Sequence, residues 1–312
     1  MASKKLYGIF TVLNLRGSVI PSILNRVIFC GLFGFLVSLA FYFKLPVSHQ
    51  VLGSVIPSIV LGLLLVFRTN TAYERFWEGR KLWGSLVNNT RNLSRLIWVS
   101  IREVEPEDKM QKIAALRLIV AFAIATKLHL RGEVVNRELE ELMPLERYHN
   151  LKIMNHPPSE IAFWIGDYLQ VQMKRENLSI YQLPTLQGLI NNLVDNLGGC
   201  ERILKTPIPL AYSIHLNQLL FLYCLLLPFQ LVDELAWWTG AVTSLVSFTL
   251  FGIEAIGIEI ENPFGYDAND LPLDAICKTM KRNVEDLIRL TPSVRQCEDF
   301  ELPNPIFREN NQ

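Results

Sequence analysis

The chain has 312 residues, half of them hydrophobic and 19% charged, with 30 basic side chains against 30 acidic ones. A mean hydropathy of +0.24 is too high for an ordinary soluble protein and too low for a pure membrane bundle, so a membrane half joined to a soluble half fits best. A formal charge of zero and no basic stripe with interleaved aromatics give nucleic-acid binding no support.

In chain order, the first apolar run is 27–43, VIFCGLFGFLVSLAFYF, with no ionisable side chain. It starts late, and a second apolar run follows within eight residues, so a membrane span fits better than a cleaved leader. The second run, 51–67, is uncharged for 17 residues, near the lower limit of the roughly 20 that cross a bilayer. It continues without a break into FRTNTAYERFWEGRKLWG (67–84), with six charges in 18 residues. That junction predicts one long helix that leaves the membrane and enters water.

The segment 68–206 is too long for a linker and reads as several amphipathic helices. Within it, 109–131 has an apolar core interrupted by Arg117, Lys127 and His129, which predicts a buried helix of the soluble part rather than a span. Pro157 and Pro158 break the next helix, and helices follow over 161–176 and 185–205. Two further apolar runs, within 207–232 and over 235–258, predict spans three and four. No alternating strand pattern and no repeat of fixed period occurs.

Short connections at 44–50 and at Asp233-Glu234 make two hairpins. Lys4, Lys5, Arg16 and Arg26 precede the first span against one lysine at its far tip, so the positive-inside rule places the N-terminus in the cytoplasm. The C-terminus then lies there too. The expected organisation is an N-terminal cytosolic segment 1–26, hairpin 27–67, cytosolic helical domain 68–206, hairpin 207–258, helical segment 259–295 and an extended tail 296–312. The topology fits a bacterial plasma (inner) membrane.

Chemistry is sparse. Five cysteines at 30, 200, 224, 277 and 297 contain no CxxC and are odd in number, so reduced thiols are expected. No P-loop, GxSxG, HExxH or GxGxxG is present, and the histidines make no metal spacing, so nothing asks for an enzyme. His215 lies inside the third apolar run, where a buried histidine paired with a neighbouring helix is a simpler reading than a cavity liner. Glu254 either is paired near the end of a span or marks where the helix emerges into water with Glu259 and Glu261.

Ile59, Leu63 and Phe67 recur at i, i+4 and i+8, one apolar stripe on one face, which Leu52 and Ile56 extend outward. From spacing alone, helix packing or lipid contact is the simpler reading. The sharper one is a hydrophobic constriction, in which copies around an axis stack apolar rings that gate by dewetting. Four spans enclose a pore poorly, so this reading requires an oligomer. Pro57 and Gly62 permit a bend and close helix approach.

Four segments in order, FRTNTAYERFWEGRKLWG (67–84), LGGCERILKTPIPLAY (197–212), LLLPFQLV (225–232) and IEIENPFGYDANDLPLDAICKTMKRN (258–283), resemble bestrophins, in particular their bacterial and plant-plastid branch. The resemblance spans roughly residues 10–295. It implies an all-α membrane protein, a homopentamer around a central pore, with two transmembrane hairpins and a large cytosolic helical region. The family's neck is lined by three apolar residues of the second span. Counted back from the motif arginine, matched to Arg75, these are Ile59, Leu63 and Phe67, the stripe already found.

The resemblance further implies a cytosolic aperture before LGGCER, at Tyr181 or Pro184. It implies calcium ligands after the NPFG motif, carried over to Asp267 and Asp270 with Asn262 in the motif itself. The middle of the acidic run is replaced by Ala268 and Asn269, and Asp270 could equally cap the following helix, so no cofactor is required and calcium stays a candidate. Ion sign must be chosen by charges beside the neck, since apolar rings do not choose it. The candidates Arg68, Arg75 and Arg80 oppose Glu74, Glu78 and Glu254. The expected function is passive conduction of small monovalent ions, with anions (chloride, then bicarbonate) favoured by likeness to the plastid branch. The alternatives are a monovalent cation channel of the same fold, a secondary transporter and a non-conducting scaffold. The two hairpins do not resemble each other, which counts against a transporter. The expected partners are permeant inorganic ions, the lipid bilayer and further copies of the chain.

Overall fold

The computed structural model describes residues 17–48 and 55–290. The expectations for residues 1–16, for 49–54 in the first hairpin and for the tail from 291 lie outside the described residues. Among the described residues every regular element is a helix. In order these are α1 (Ile20–Tyr42), α2 (Val55–Ser100), α3 (Pro106–Leu130), α4 (Arg137–Glu140), α5 (Leu145–Ile153), α6 (Pro157–Lys174), α7 (Leu183–Lys205), α8 (Leu210–Leu235), α9 (Thr239–Glu259) and α10 (Leu273–Arg289). The described residues form two compact units, one within 17–84 and 196–273 and the other within 85–195 and 274–290.

The first unit holds the apolar hairpins. α1 starts at Ile20, earlier than the uncharged run, with Pro21 in its first turn where a missing N–H costs nothing. Arg26 lies within the helix, its side chain half-exposed and its Nη1 donating to Asn217 Oδ1 at 3.4 Å. Ile23, Val27 and Cys30 of α1 pack on Leu61 and Leu65 of α2, Leu216, Leu220 and Cys224 of α8, and Phe251 of α9. Cys30 and Cys224 are thus packing residues. α1 and α9 approach closely: a Cβ on Gly34 would stand 3.0 Å from the Gly240 Cα, so side chains larger than hydrogen would force the pair apart. His215 corrects the expectation of a buried histidine. It is exposed on this chain, on the α8 face away from the core residues Leu216 and Leu220.

α8 ends at Ala236, whose φ of 45° stops the helix. Two hydroxyls hold the Ala236 carbonyl, Ser38 at 2.9 Å and Thr239 at 2.8 Å, before a 3-10 turn at Ala236–Trp238 starts α9. The apolar stretch Leu210–Glu259 is therefore two spans and not one. Exposed Tyr42, Phe43, Trp237 and Trp238 gather at the ends of α1 and α8, the placement favoured at a membrane–water boundary.

The second unit is organised by α3. Length and composition alone would allow α3 to cross a membrane, but 78% of its most apolar window is buried inside the protein. Both of its buried lysines are also paired. Lys112 donates to the Ile101 carbonyl and meets Glu103 at 3.3 Å, while Lys127 meets Glu138 and Asp274, each at 2.8 Å. α3 is a core helix, packed along α6. α10 presents Cys277, Met280 and Val284 inward at helical spacing, and Cys277 Sγ lies 3.7 Å from the Ala123 carbonyl of α3. Burial pushes that thiol up to about 12.

Two aspartates make this unit acid-sensitive. Asp108 accepts from the backbone N–H groups of Glu105 and Val104 at the start of α3 and pairs with Arg175 at 2.9 Å, which holds its carboxyl below the ordinary 3.8. At Asp274 burial acts upward, but hydrogen bonds from Lys127 and Arg131 outweigh it and the carboxyl again lies below 3.8. A carboxyl depressed by folding stabilises the fold fully above its unfolded pKa, and that stability is lost as pH falls through the folded value. The melting temperature should therefore fall steeply once pH drops below 3.8, and the Asp108→Asn/Asp274→Asn double variant should flatten that fall. Equal acid slopes in the two proteins would remove these carboxyls from the account.

Candidate pore helix and its ion pairs

α2 runs unbroken for 46 residues, about 69 Å at roughly 1.5 Å per residue. Its apolar start has two faces. Leu61, Leu65, Arg68 and Ala72, spaced by four, three and four, are buried. The opposite face carries Ile59, Leu63 and Phe67, which are 57%, 54% and 62% exposed, with Ile56 above them. The packed face takes the helix–helix contacts, so the stripe is left for something outside the chain: lipid, or an axis shared with other copies. Val60 and Val66 are also exposed, so the outward face is wider than the stripe alone.

Just past Phe67 the charged residues are tied down. Arg68 is 4% exposed and its Nη2 pairs with Glu261 Oε2 at 2.6 Å. The other Glu261 oxygen accepts from the Ile208 N–H at 2.8 Å. Arg75 donates Nε to the Glu261 carbonyl at 3.1 Å, Nη2 to the Ile203 carbonyl at 2.5 Å and Nη1 to the Thr206 carbonyl. Burial pulls the Arg75 guanidinium below its ordinary value, opposed by the charge of Glu261. Three backbone acceptors explain why an arginine is needed here: only its planar fork reaches three carbonyls in different directions. These bonds tie α2 to the end of α7, the start of α8 and the residues just after α9.

Glu254 is 2% exposed and paired: Asn217 Nδ2 reaches Oε1 at 3.0 Å and Arg26 Nη1 lies 3.7 Å from Oε2. Of the two readings open in the sequence, the paired one holds. Glu74 is exposed on α2. Of Arg68, Arg75, Glu254 and Glu74, the first three therefore serve internal partners and Glu74 faces outward. Tyr181, 89% exposed, lies in the turn before α7, and exposed Pro184 lies in the first turn of that helix.

The loop 262–270 is stapled by its own side chains. Asp270 Oδ2 accepts from the Asp267 N–H at 2.8 Å, and Asn262 Oδ1 from the Phe264 N–H at 3.4 Å. A Cβ on Gly265 would come 2.6 Å from Asp270 Oδ2, so the carboxylate can sit there only against glycine. Asp270 thus closes the loop just ahead of α10, which begins at Leu273. The exposed Asp267 carboxylate, the second Asp270 oxygen and the Asn262 amide oxygen are hard donors suited to calcium. They fill about half of the six to eight oxygens it takes, so backbone carbonyls or water would have to supply the rest.

Sequence reasoning missed the role of Glu261. Read as one of several acids where α9 meets water, it is instead the shared acceptor of Arg68 and Ile208. Only its position beside NPFG hinted at more, and its partners lie far off in sequence.

Comparison with known proteins agrees with this architecture. A family model described as bacterial/fungal bestrophin protein matches residues 2–286. A voltage-dependent anion channel-forming protein of Nostoc sp. (strain PCC 7120) is 70% identical over 282 residues, covering 90% of this chain and 92% of that one. A protein of the same description from Escherichia coli (strain K12) is 34% identical over 272 residues, covering 85% and 86%. The crystal structure of a bacterial bestrophin homolog from Klebsiella pneumoniae matches with a TM-score of 0.78 at 30% identity, covering 86% of this chain and 100% of that one. With its helical membrane hairpins and its motifs in order, this chain belongs to the bacterial and fungal bestrophin family.

Proposed function

We propose that this multi-pass membrane protein is a passively conducting anion channel, built as a homopentamer and gated at a hydrophobic neck of Ile59, Leu63 and Phe67. The observation that carries the reading is the stripe itself: three large apolar side chains, each more than half exposed, on a helix whose opposite face is fully packed. Such rings, stacked around an axis, hold water out unless they widen. Anion passage is supported by relatives named as anion channel-forming proteins at up to 70% identity. Chloride and then bicarbonate are the ions this reading favours, in a plasma or thylakoid membrane, with both termini on the cytoplasmic side. Nothing in the reading calls for enzymatic chemistry.

One observation favours cation conduction as the second reading. Arg68 and Arg75 are consumed by Glu261 and by backbone carbonyls, whereas Glu74 is exposed on the same helix. The two readings separate in one measurement, the reversal potential of the purified protein in a planar bilayer under a KCl gradient. Reversal near the chloride equilibrium potential is expected. Reversal near the potassium potential would replace the anion reading with the cation one and direct attention to Glu74. No current from a verified pentamer would move weight to a scaffold.

For calcium we propose a ligand of loop 262–270 rather than a requirement for conduction. Titration of the protein with calcium, read by calorimetry, should give one site per subunit that Asp267→Asn weakens about tenfold, as loss of one carboxylate from a hard-cation shell implies. Identical isotherms for wild type and Asp267→Asn would end the proposal.

A further inference from the structure

An apolar neck does not choose ion sign; a ring of charged side chains facing the pore beside it does. Arg68 and Arg75 are not that ring, since Glu261 and backbone carbonyls hold them. The register of α2 points to another residue. One face of the helix stays buried from Leu61 through Leu65, Arg68 and Ala72 to Trp83. At about 100° per residue, the opposite face carries Ile59, Leu63 and Phe67 and then Asn70, Glu74 and Lys81, all of them exposed. Lys81 follows Phe67 by close to four full turns, about 21 Å along the axis at roughly 1.5 Å per residue. Neither Glu74 nor Lys81 makes an ion pair among the described residues. The charges around Lys81 are otherwise engaged or turned away. Glu78, one turn before it, holds Arg202 at 2.6 Å. Arg80 leaves the helix about 100° round from Lys81, and its Nη1 lies 3.3 Å from where a Cβ on Gly84 would stand.

We propose that Lys81 is the residue that selects anions, one ammonium per subunit facing the pore beyond the neck and raising the local anion concentration there; this rests on the anion-channel reading above. A ring of like charges between low-dielectric walls focuses its field on the ions that pass. Glu74, on the same face about two turns nearer the neck, opposes it. The two do not cancel, because the stems differ. A lysine carries its charge at the end of four flexible carbons and a glutamate at the end of two, so the ammonium reaches nearer the axis than the carboxylate. Lys81 therefore sets the sign, and Glu74 tempers it.

The test compares full-length wild type, Lys81→Gln, Lys81→Arg and Glu74→Gln, each verified as a pentamer, in one bilayer composition. Conductance is read in about 0.1 M and about 1 M KCl, where charges are felt over about 10 Å and about 3 Å. The reversal potential is read under a KCl gradient. Lys81→Gln should lower conductance about threefold in dilute salt, a modest part of what a focused field supplies, and move reversal toward the potassium potential. In concentrated salt its conductance should return to that of wild type. Lys81→Arg keeps the charge and should match wild type in both salts. Glu74→Gln should act in the opposite direction to Lys81→Gln. A loss in Lys81→Gln that is equal in both salts, or that Lys81→Arg shares, marks a structural role and overturns the proposal. Wild-type reversal near the chloride potential, with no difference among the variants, sinks the role of Lys81 and keeps the anion channel. Wild-type reversal near the potassium potential, or no current from a verified pentamer, sinks the anion reading and this inference with it.

Discussion

Alanine at position 67 should raise open conductance, or the open fraction, by about tenfold, the effect of taking about 1.4 kcal/mol from the barrier an ion meets at the neck. The reasoning starts from exposure. Phe67 is 62% exposed at the charged end of the stripe, one turn past Leu63 and two past Ile59, and its ring is the largest of the three. A ring of phenyl groups around an axis excludes water, and an ion cannot cross it without shedding hydration. Alanine widens that ring while leaving the packed face, Leu61 and Leu65, untouched. Leu63→Ala should act in the same direction with a smaller gain, and the ion selectivity should move little because no charge changes. The measurement is single-channel recording of wild type and both variants in one bilayer composition. Identical conductance and open fraction in all three would mean that the stripe faces lipid and that the neck lies elsewhere.

Glu261→Ala should be the most destabilising single change in the membrane unit, costing about 3–5 kcal/mol, because it leaves a buried guanidinium without its counter-charge. The asymmetry with its partner is instructive. Glu261 is 17% exposed at its side chain and also accepts from the Ile208 N–H, so Arg68→Ala leaves behind a carboxylate that still has a donor and some solvent. Arg68 is 3% exposed, and among the described residues its ion pair is with Glu261. Glu261→Gln, which keeps the shape and an acceptor but not the charge, should fall between. Thermal unfolding in detergent, followed by size-exclusion chromatography, reads the order: wild type, Gln, then Ala. A melting temperature for Glu261→Ala within error of wild type would show that the pair is ornamental and that Arg75 alone ties these elements together.

The apolar stripe was legible in the sequence because its signal is local. Period-3.6 spacing places Ile59, Leu63 and Phe67 on one face whatever surrounds them, and the end of the uncharged run at Arg68 marks where the span ends. Which of the two faces packs was not legible, since Leu61 and Leu65 are as apolar as their neighbours and only the presence of Ile23, Leu216 and Phe251 beside them decides it. The charges were the least readable part. Arg68 and Glu261 are 193 positions apart and Glu254 is 37 from Asn217, so no window along the chain brings them together. Taken singly, each looked like a candidate for sorting ions, yet Arg68, Arg75 and Glu254 turn out to hold helices in place.

The sequence by itself determined the helical class, the four apolar spans in two hairpins, the buried helix over residues 109–131 and the apolar stripe. All of these rest on hydropathy and period, which act over a few turns of one helix. Tertiary structure alone decided which buried charges are neutralised and by what. It also decided that Asp270 closes its own loop and that α8 stops at Ala236 under two hydroxyls. The division has one physical reason: burying a charge is tolerable only with a partner, and partners are chosen by the packing of helices distant in sequence.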